Sequence, residues 1–271
     1  MPNELVRLIA PLCAVAERAG ATIDRYYHEG FTVRTKSDES PVTDADEAAE
    51  AIILPILKTL LPDVPIVSEE SGLQGKDVDF RHDRFWAVDP LDGTKEFIRR
   101  SDEFTVNIAL IENGRPILGV VHAPALDVTY AAAGKGTARM QRLNQVARPI
   151  AVRQPPADGL TALASRSHDS SEELKEFLAR YPVKERRRMG SSLKFCCIAA
   201  GDADLYVRLG PTSEWDTAAG QAVLEAAGGT VTFTDGRPLT YGKAKFLNPS
   251  FIAKGFTPVL GATADAALGT A

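Results

Sequence analysis

The sequence predicts a mixed α/β fold in which sheets are covered by helices in layers. Three observations carry that prediction. The N-terminal part repeats apolar residues at helical spacing. Three successive runs between residues 104 and 132 have strand composition and are joined by tight turn signals. Beyond residue 160, short strand and helix patterns alternate. The chain has 271 residues, 44% of them hydrophobic, enough to build a core for one large domain or two closely packed ones.

The elements follow in order. Leu5, Leu8, Ile9, Leu12, Val15, Ala16 and Ala19 lie on one face of an amphipathic helix over residues 4–28. Residues 31–42 are polar and read as loop. A second helix begins at Thr43-Asp44, with acids in its first turn as the helix dipole prefers, and Pro55 should kink it. Pro62 and Pro65 close it, and Ile66-Val67 is a short strand leading into Glu69-Glu70. Runs 104–111, 116–122 and 128–132 read as an antiparallel meander, with Glu112-Asn113-Gly114-Arg115 as a hairpin turn. Turn-rich composition at 155–159 marks a boundary between an N-terminal α+β domain, residues 1–155, and a C-terminal α/β domain, residues 156–271. The second half reads as strands at 160–164, 183–188, 204–207 and 230–233, with helices at 171–180, 192–200 and 216–227. The tail 261–271 is small and weakly patterned and reads as frayed.

Composition narrows the function classes. A formal net charge of −5 argues against a general nucleic-acid surface, while leaving room for a local basic pocket that takes a small anion. No apolar stretch reaches the roughly 18–20 residues of a membrane span. Met1-Pro2-Asn3-Glu4 lacks the basic and apolar regions of a signal peptide. The three cysteines, Cys13, Cys196 and Cys197, show no CxxC spacing, which suits a reduced cytoplasmic protein; a peripheral place at the inner membrane stays open. Cys196 and Cys197 fall in an apolar helical pattern and read as buried and inert.

The chemistry concentrates in Trp86-Ala87-Val88-Asp89-Pro90-Leu91-Asp92-Gly93-Thr94, where an apolar strand empties into two carboxylates and then a Gly-Thr that can open a helix. Carboxylate oxygens suit hard cations, and the free N–H groups of a helix start suit phosphate. Asp44/Asp46, Glu69/Glu70 and Asp216 are further acids at structural transitions. Each alone is explained by helix capping, Asp216 through a Ser213-x-x-Asp216 capping box. Capping leaves Asp89 unexplained, because it ends a strand. An EF-hand loop fails because Leu91 offers no side-chain oxygen, and a haloacid-dehalogenase motif has its two acids one residue closer together.

Asp46, Glu69-Glu70-Ser71, Asp89-Pro90-Leu91-Asp92-Gly93-Thr94 and Trp215-Asp216-Thr217-Ala218-Ala219-Gly220 together resemble the Mg²⁺-dependent, lithium-sensitive inositol monophosphatase superfamily. Within it, Thr94-Lys95-Glu96-Phe97, Glu103-Phe104-Thr105-Val106-Asn107, Ser165-Arg166-Ser167-His168 and Gly190-Ser191-Ser192-Leu193-Lys194-Phe195 are similar to the CysQ type of 3'(2'),5'-bisphosphate nucleotidase. The resemblance implies a layered αβαβα sandwich of the inositol monophosphatase and fructose-1,6-bisphosphatase type. It implies two or three Mg²⁺ ions held by Glu69, Asp89, Asp92, Asp216 and the Leu91 carbonyl. Asp46 and Thr94 would orient and deprotonate the attacking water, and the N–H groups of Gly93 and Thr94 would hold phosphate oxygens. The implied reaction removes the 3'-phosphate of adenosine 3',5'-bisphosphate, with its sulfated form as a second substrate, in the clearance of a by-product of sulfate assimilation.

Substrate choice would come from the second half. Lys194 and Arg208 suit the phosphate that is not cleaved. Ser165, Ser167 and His168 suit ribose or phosphate, and Gly190-Ser191-Ser192 would pass beneath a nucleobase. Read as plain sequence, the same residues are solvated charges and a helix cap. Val207 stands where related nucleotidases often have Pro, which bears on the position of Arg208, and the polar linker 72–84 leaves closure of the first metal loop open. Arg186-Arg187-Arg188 reads as an exposed strand edge, Asp202 and Asp204 as turn residues, and His28, His82 and His122 as non-catalytic; Trp215 would pack to fix Asp216. Alternative readings are an inositol or sugar phosphate monoesterase and a non-catalytic metal- and nucleotide-binding sensor. The partner is a small nucleotide bisphosphate, with no nucleic acid and no transmembrane segment, and the assembly a monomer or homodimer.

Overall fold

The computed structural model describes residues 2–37, 39–74, 80, 83–166 and 171–256. Helices α1 (Pro2–Glu29) and α2 (Asp44–Leu60) flank an antiparallel ribbon of β1 (Val33–Thr35) and β2 (Pro41–Thr43). The segment expected as loop thus contains two strands. They are three residues each, and β1 buries none of its side chains, so no hydrophobic alternation marks them in the sequence. Helix α2 starts where the sequence places it. Thr43 is its N-cap, its hydroxyl accepting the Ala45 N–H at 3.2 Å while Asp46 accepts the Thr43 N–H at 2.8 Å. The helix runs on through Pro55 to Leu60.

Then come β3 (Ile66–Ser68), β4 (Gly72–Gln74), β5 (Phe85–Asp92), the short helix α3 (Thr94–Ile98), β6 (Thr105–Glu112), β7 (Arg115–Ala123), β8 (Val128–Ala132), β9 (Arg139–Arg142) and β10 (Arg148–Pro149). These strands form one sheet in the order β10-β9-β8-β7-β6-β5-β3-β4, antiparallel except where β3 lies parallel to β5. The expected meander is present and continues into β9 and β10. Alternation along β5 and β6 sends Trp86, Val88, Val106, Ile108 and Leu110 into a core beneath α1 and α2. Phe85, Ala87, Ala109 and Ile111 point to the opposite face.

The second half supplies β11 (Leu160–Ser165), α4 (Glu172–Leu178), β12 (Val183–Met189), α5 (Leu193–Ala199), β13 (Leu205–Arg208), β14 (Thr212–Ser213), α6 (Trp215–Ala226), β15 (Thr230–Phe233), β16 (Leu247–Asn248) and β17 (Phe251–Lys254). A five-stranded sheet runs β12-β11-β13-β17-β15, and β14 pairs with β16. Strand β17 lies inside this sheet although the sequence reading does not include it: four residues between Pro249-Ser250 and Gly255 are too few for a periodic signal. Residues of α5 and α6 share one core with side chains of both sheets. Leu174 and Leu178 of α4 cover the outer face over Ala162, Ala164, Leu205, Val207 and Ile252. The layers are therefore α1/α2, sheet, α5/α6, sheet and α4, the αβαβα arrangement.

Several bland expectations can be placed. Strand β12, which carries Arg186, Arg187 and Arg188, is a sheet edge. Burial pushes the Cys196 and Cys197 thiols up, Cys197 to about 11. It pushes His122 down to about 4, with Nδ1 2.9 Å from the Thr129 hydroxyl. His28 pairs with Asp24 one helical turn away. Val207 pairs with Ile252 inside the sheet, so the residue in place of Pro is a ladder residue and the loop begins only after Arg208. Asp204 lies at the bend before β13 and is buried, because Arg153 grips it with two donors at 2.9 and 2.6 Å and the Thr161 N–H adds a third at 2.7 Å. Asp202 lies at an exposed bend. His82 and the tail 261–271 lie outside the described residues. Among the described residues, no helix is long and apolar enough to cross a membrane.

Candidate active site

Strand β5 delivers two carboxylates to one place through an irregularity in its pairing. Asp89 is opposite Asn107 and Asp92 opposite Thr105, so three steps on β5 match two on β6. In a regular strand, residues three apart face opposite sides; the extra residue turns Asp92 back to the side of Asp89. Pro90 has no N–H to lose from the ladder and is tolerated at such a bulge. Asp216 approaches from the first turn of α6 and Glu69 from the turn after β3. Carboxylate oxygens of Glu69, Asp89 and Asp216 lie within 4.8 Å of one another. Asp92 and Leu91 line the same cavity.

Side-chain hydrogen bonds orient this set. Asp89 Oδ1 accepts the Leu91 N–H at 3.0 Å. Asp92 Oδ2 accepts the Ser192 N–H at 2.6 Å and the Asn107 side-chain amide at 3.2 Å. Asp216 Oδ2 accepts the Thr212 hydroxyl at 2.6 Å and the Ser213 N–H at 3.3 Å. Only the reaching-back half of the expected capping box exists, since the N-cap residue of α6 is Glu214 rather than Ser213. Trp215 sits beside Phe246 with ring centroids 6.3 Å apart.

Crowding leaves the acids short of positive charge. Burial raises Asp216 to about 8, and the neighbouring Asp92 and Glu69 charges add to it. Asp89 is pushed well up by burial and by Glu69, Asp92 and Asp216. Asp92 rises to about 6 through burial, with Lys194, Asn107 and Ser192 pulling the other way. Such a set holds protons or cations, and an all-oxygen donor set fits a hard divalent ion.

Beside the cluster, Thr94 and Asp46 meet. The Thr94 hydroxyl is 3.2 Å from both Asp46 Oδ1 and the Leu91 carbonyl, so its one proton has two acceptors. Asp46 Oδ2 is occupied by Thr43, whose hydroxyl donates at 2.6 Å. Burial lifts Asp46 to about 6 against those hydrogen bonds. Gly93 precedes Thr94 with φ 93°, a left-handed conformation that a side chain would strain, and a Cβ there would lie 3.1 Å from the Glu103 carbonyl.

A second cavity of about 130 Å³ adjoins the first and shares Asp92, Gly93, Glu96 and Asp216 with it. Ser165, Ser191, Lys194 and Arg208 line it, as the sequence anticipates. Lys194 is buried; its Nζ donates to the Met189 and Ser191 carbonyls at 3.1 and 2.5 Å, which leaves one of its three protons for the cavity. Burial lowers it to about 8, with Asp92 opposing. An Arg208 terminal nitrogen donates to the Pro211 carbonyl at 2.9 Å. Ser192 does not line the cavity. Its hydroxyl donates to Asn107 Oδ1 at 2.7 Å inside the core, and its N–H donates to Asp92, so it acts on the site through the Asp92 carboxylate rather than as cavity lining. Ser167 and His168 lie outside the described residues.

Sequence reasoning gave no role to several groups that shape the site. Lys36, on the β1–β2 ribbon, reaches Glu69 and Glu70 at 2.8 Å each. Burial works against its charge, but the two carboxylates hold its pKa above the ordinary lysine range. Glu70 itself is raised by burial to about 7. Glu50 accepts hydrogen bonds from Ser68 and from Ser71, fixing the turn that presents Glu69. Its place four residues after Asp46, on the same helix face, was the available signal. Glu103 accepts the Gly190 N–H at 2.7 Å and two Arg166 donors at 2.7 Å, a long-range clasp with no local pattern.

Helix and sheet layers closing on a buried carboxylate set, with a hydroxyl–carboxylate pair on one side and a lysine–arginine cavity on the other, define an α/β protein built to hold hard cations next to an anionic ligand. Comparison with known proteins gives the family. The profile of the inositol monophosphatase family matches residues 4–266, and the chain belongs to that family, as the motif resemblance implied. Curated relatives include the 3'(2'),5'-bisphosphate nucleotidase CysQ of Escherichia coli (strain K12), 48% identical over 249 residues that cover 90% of this chain and 98% of the relative. The protein of the same name from Haemophilus influenzae is 34% identical, covering 92% and 93%. Among solved structures, CysQ from Bacteroides thetaiotaomicron has a TM-score of 0.73 at 35% identity, covering 90% of this chain and 95% of that one. An inositol monophosphatase from Anabaena (Nostoc) sp. PCC 7120 has a TM-score of 0.72 at 29% identity, covering 93% and 91%.

Proposed function

We propose that the protein is a Mg²⁺-dependent phosphatase that hydrolyses the 3'-phosphate of adenosine 3',5'-bisphosphate to AMP and phosphate, and acts likewise on the sulfated form. One observation carries the reading. The acid-lined cavity continues past Gly93 and Glu96 into the cavity lined by Lys194 and Arg208, so one ligand can present a phosphate at each end. The names of the curated relatives support the nucleotide. Glu69, Asp89, Asp92, Asp216 and the Leu91 carbonyl would hold two or three Mg²⁺ ions. Bound Mg²⁺ supplies Lewis-acid charge that acidifies water and steadies the leaving oxygen.

The chain's own residues do the rest. Asp46 takes a proton through the Thr94 hydroxyl, which relays it without acquiring charge; an Asp46 pKa raised towards neutrality suits a base at physiological pH. Gly93 and Thr94 N–H groups steady the phosphate oxygens. Lys194 and Arg208 hold the second phosphate, while Ser165 and Ser191 line its path. In this reading residues 1–155 bring most of the cation-holding acids and residues 156–271 the substrate loop and Asp216. A cytoplasmic place and a monomer or homodimer complete the proposal.

The test is phosphate release at fixed Mg²⁺ from adenosine 3',5'-bisphosphate, inositol 1-phosphate and fructose 1,6-bisphosphate. The expected result is a kcat/KM for the nucleotide at least about a hundredfold higher, about 2.7 kcal/mol of transition-state discrimination. A preference for the polyol or the sugar keeps the cation site and overturns the roles of Ser165, Lys194 and Arg208. Binding without release from any of them makes the protein a sensor.

A further inference from the structure

We infer that Glu96 selects the sugar of the substrate, its carboxylate accepting a hydrogen bond from the hydroxyl next to the scissile phosphate, so that the enzyme prefers a ribonucleotide 3'-phosphate to its 2'-deoxy counterpart. The inference rests on the nucleotidase reading and adds a residue to it. Glu96 is 8% exposed, yet among the described residues no donor hydrogen-bonds its carboxylate. It lines both cavities at their junction. Its side chain lies against Gly190, where a Cβ would come within 2.8 Å of the Glu96 Cγ.

The donors around it are engaged elsewhere. Lys194 gives protons to the Met189 and Ser191 carbonyls, and Arg166 makes both its short contacts to Glu103. Their charges reach Glu96 only through space. The Glu96 carboxylate thus opens onto the two cavities with no protein donor in place, where a ligand hydroxyl can donate to it.

The position of Glu96 decides which donor. Thr94, Asp46 and the carboxylate set fix where the cleaved phosphate lies, and Lys194 with Arg208 fixes the far end. Glu96 lines both cavities where they meet, so the ring that joins the two phosphates would pass beside it. A carboxylate there repels a phosphate and accepts a hydroxyl. In a ribose 3'-phosphate, the hydroxyl on the adjacent carbon is the 2'-hydroxyl. Glu96 thereby favours a single phosphate flanked by a free hydroxyl over a ring phosphorylated on both neighbours.

The experiment compares adenosine 3',5'-bisphosphate with 2'-deoxyadenosine 3',5'-bisphosphate on the intact protein, Glu96→Gln and Glu96→Ala, in Mg²⁺. The unsubstituted protein should favour the ribose by about tenfold or more in kcat/KM, the range of a hydrogen bond to a charged group. Glu96→Ala should bring the two substrates within about twofold of each other, and Glu96→Gln, which keeps a carbonyl acceptor, should fall between. A loss shared equally by both substrates marks a merely structural residue and overturns the inference. So does the absence of a ribose preference in the unsubstituted protein, a result that needs no variant to fold. Failure of the underlying reading looks different: neither nucleotide releases phosphate while inositol 1-phosphate does, and the inference goes with it.

Discussion

Removing the divalent cation should make the stability of this protein fall as pH rises, and restoring it should help most at high pH. In the folded chain Asp216 titrates at about 8, against 3.8 for a free side chain, because it is buried beside Asp92 and Glu69. Between those values the cation-free folded state keeps a proton that the unfolded chain has lost. The stability owed to that proton is complete below the unfolded value and gone above the folded one. From about pH 5.5 to about pH 8 the difference is roughly 2.5 pH units at about 1.4 kcal/mol each, or about 3.5 kcal/mol. Asp92 and Asp46, each at about 6, add to the lower part of the range with the same sign. For a chain of this size, that loss is a Tm decrease of roughly 7–10 °C. The assay is thermal unfolding in EDTA and in millimolar Mg²⁺ across that range. A cation does the work of the proton, so the curve in Mg²⁺ should be flatter and the gain from Mg²⁺ should grow with pH. Asp216→Asn, which cannot ionise, should flatten the EDTA curve. A Tm in EDTA that holds level or rises with pH, or a Mg²⁺ gain independent of pH, refutes the reasoning.

Two further outcomes follow from particular contacts. Asp46→Asn keeps the shape of the N-cap partner but removes the proton acceptor behind Thr94. Turnover should drop by about 10²–10⁴ while binding of the nucleotide, read by calorimetry, stays within a few fold; near-normal turnover would remove Asp46 from the chemistry. Arg153→Met strips buried Asp204 of its two-donor partner far from the site. We expect a loss of about 2–3 kcal/mol in urea unfolding, toward the lower side for a broken buried pair because Arg153 is a third exposed, with kcat/KM unchanged. An unchanged urea midpoint would show that Asp204 is satisfied without Arg153.

What the sequence shows of this protein follows the length scale of each interaction. The long helices and β5 to β8 were legible because their hydrophobic periods repeat many times over. Strands β1, β2, β14, β16 and β17 were not, being only two to four residues long and so carrying no repeated hydrophobic period. The same division runs through the site. Asp89, Asp92, Gly93 and Thr94 form one contiguous motif whose local backbone fixes their directions. Lys36 and Glu50 went unseen, and Glu103 was read only as part of a motif, because each takes its role from a contact at least 18 residues away: Ser68 for Glu50, Glu69 for Lys36, Arg166 and Gly190 for Glu103. The burial of Asp204 stayed hidden for the same reason, since its partner Arg153 lies 51 positions earlier.

Asp92 shows why such a site sits between layers rather than on a loop at the rim. One of its oxygens, Oδ2, is held by the Ser192 N–H and the Asn107 side chain, groups from opposite halves of the chain. Ser192 in turn starts α5, and the preceding residue Ser191, with φ 48°, lines the substrate cavity. In the proposed reading, a cation held by Asp92 would fix the same carboxylate that anchors the Ser192 N–H, and a ligand against Ser191 and Lys194 would pull on it from the other side. Proposed cation and substrate sites that share one side chain, itself held from both halves of the chain, cannot adjust independently.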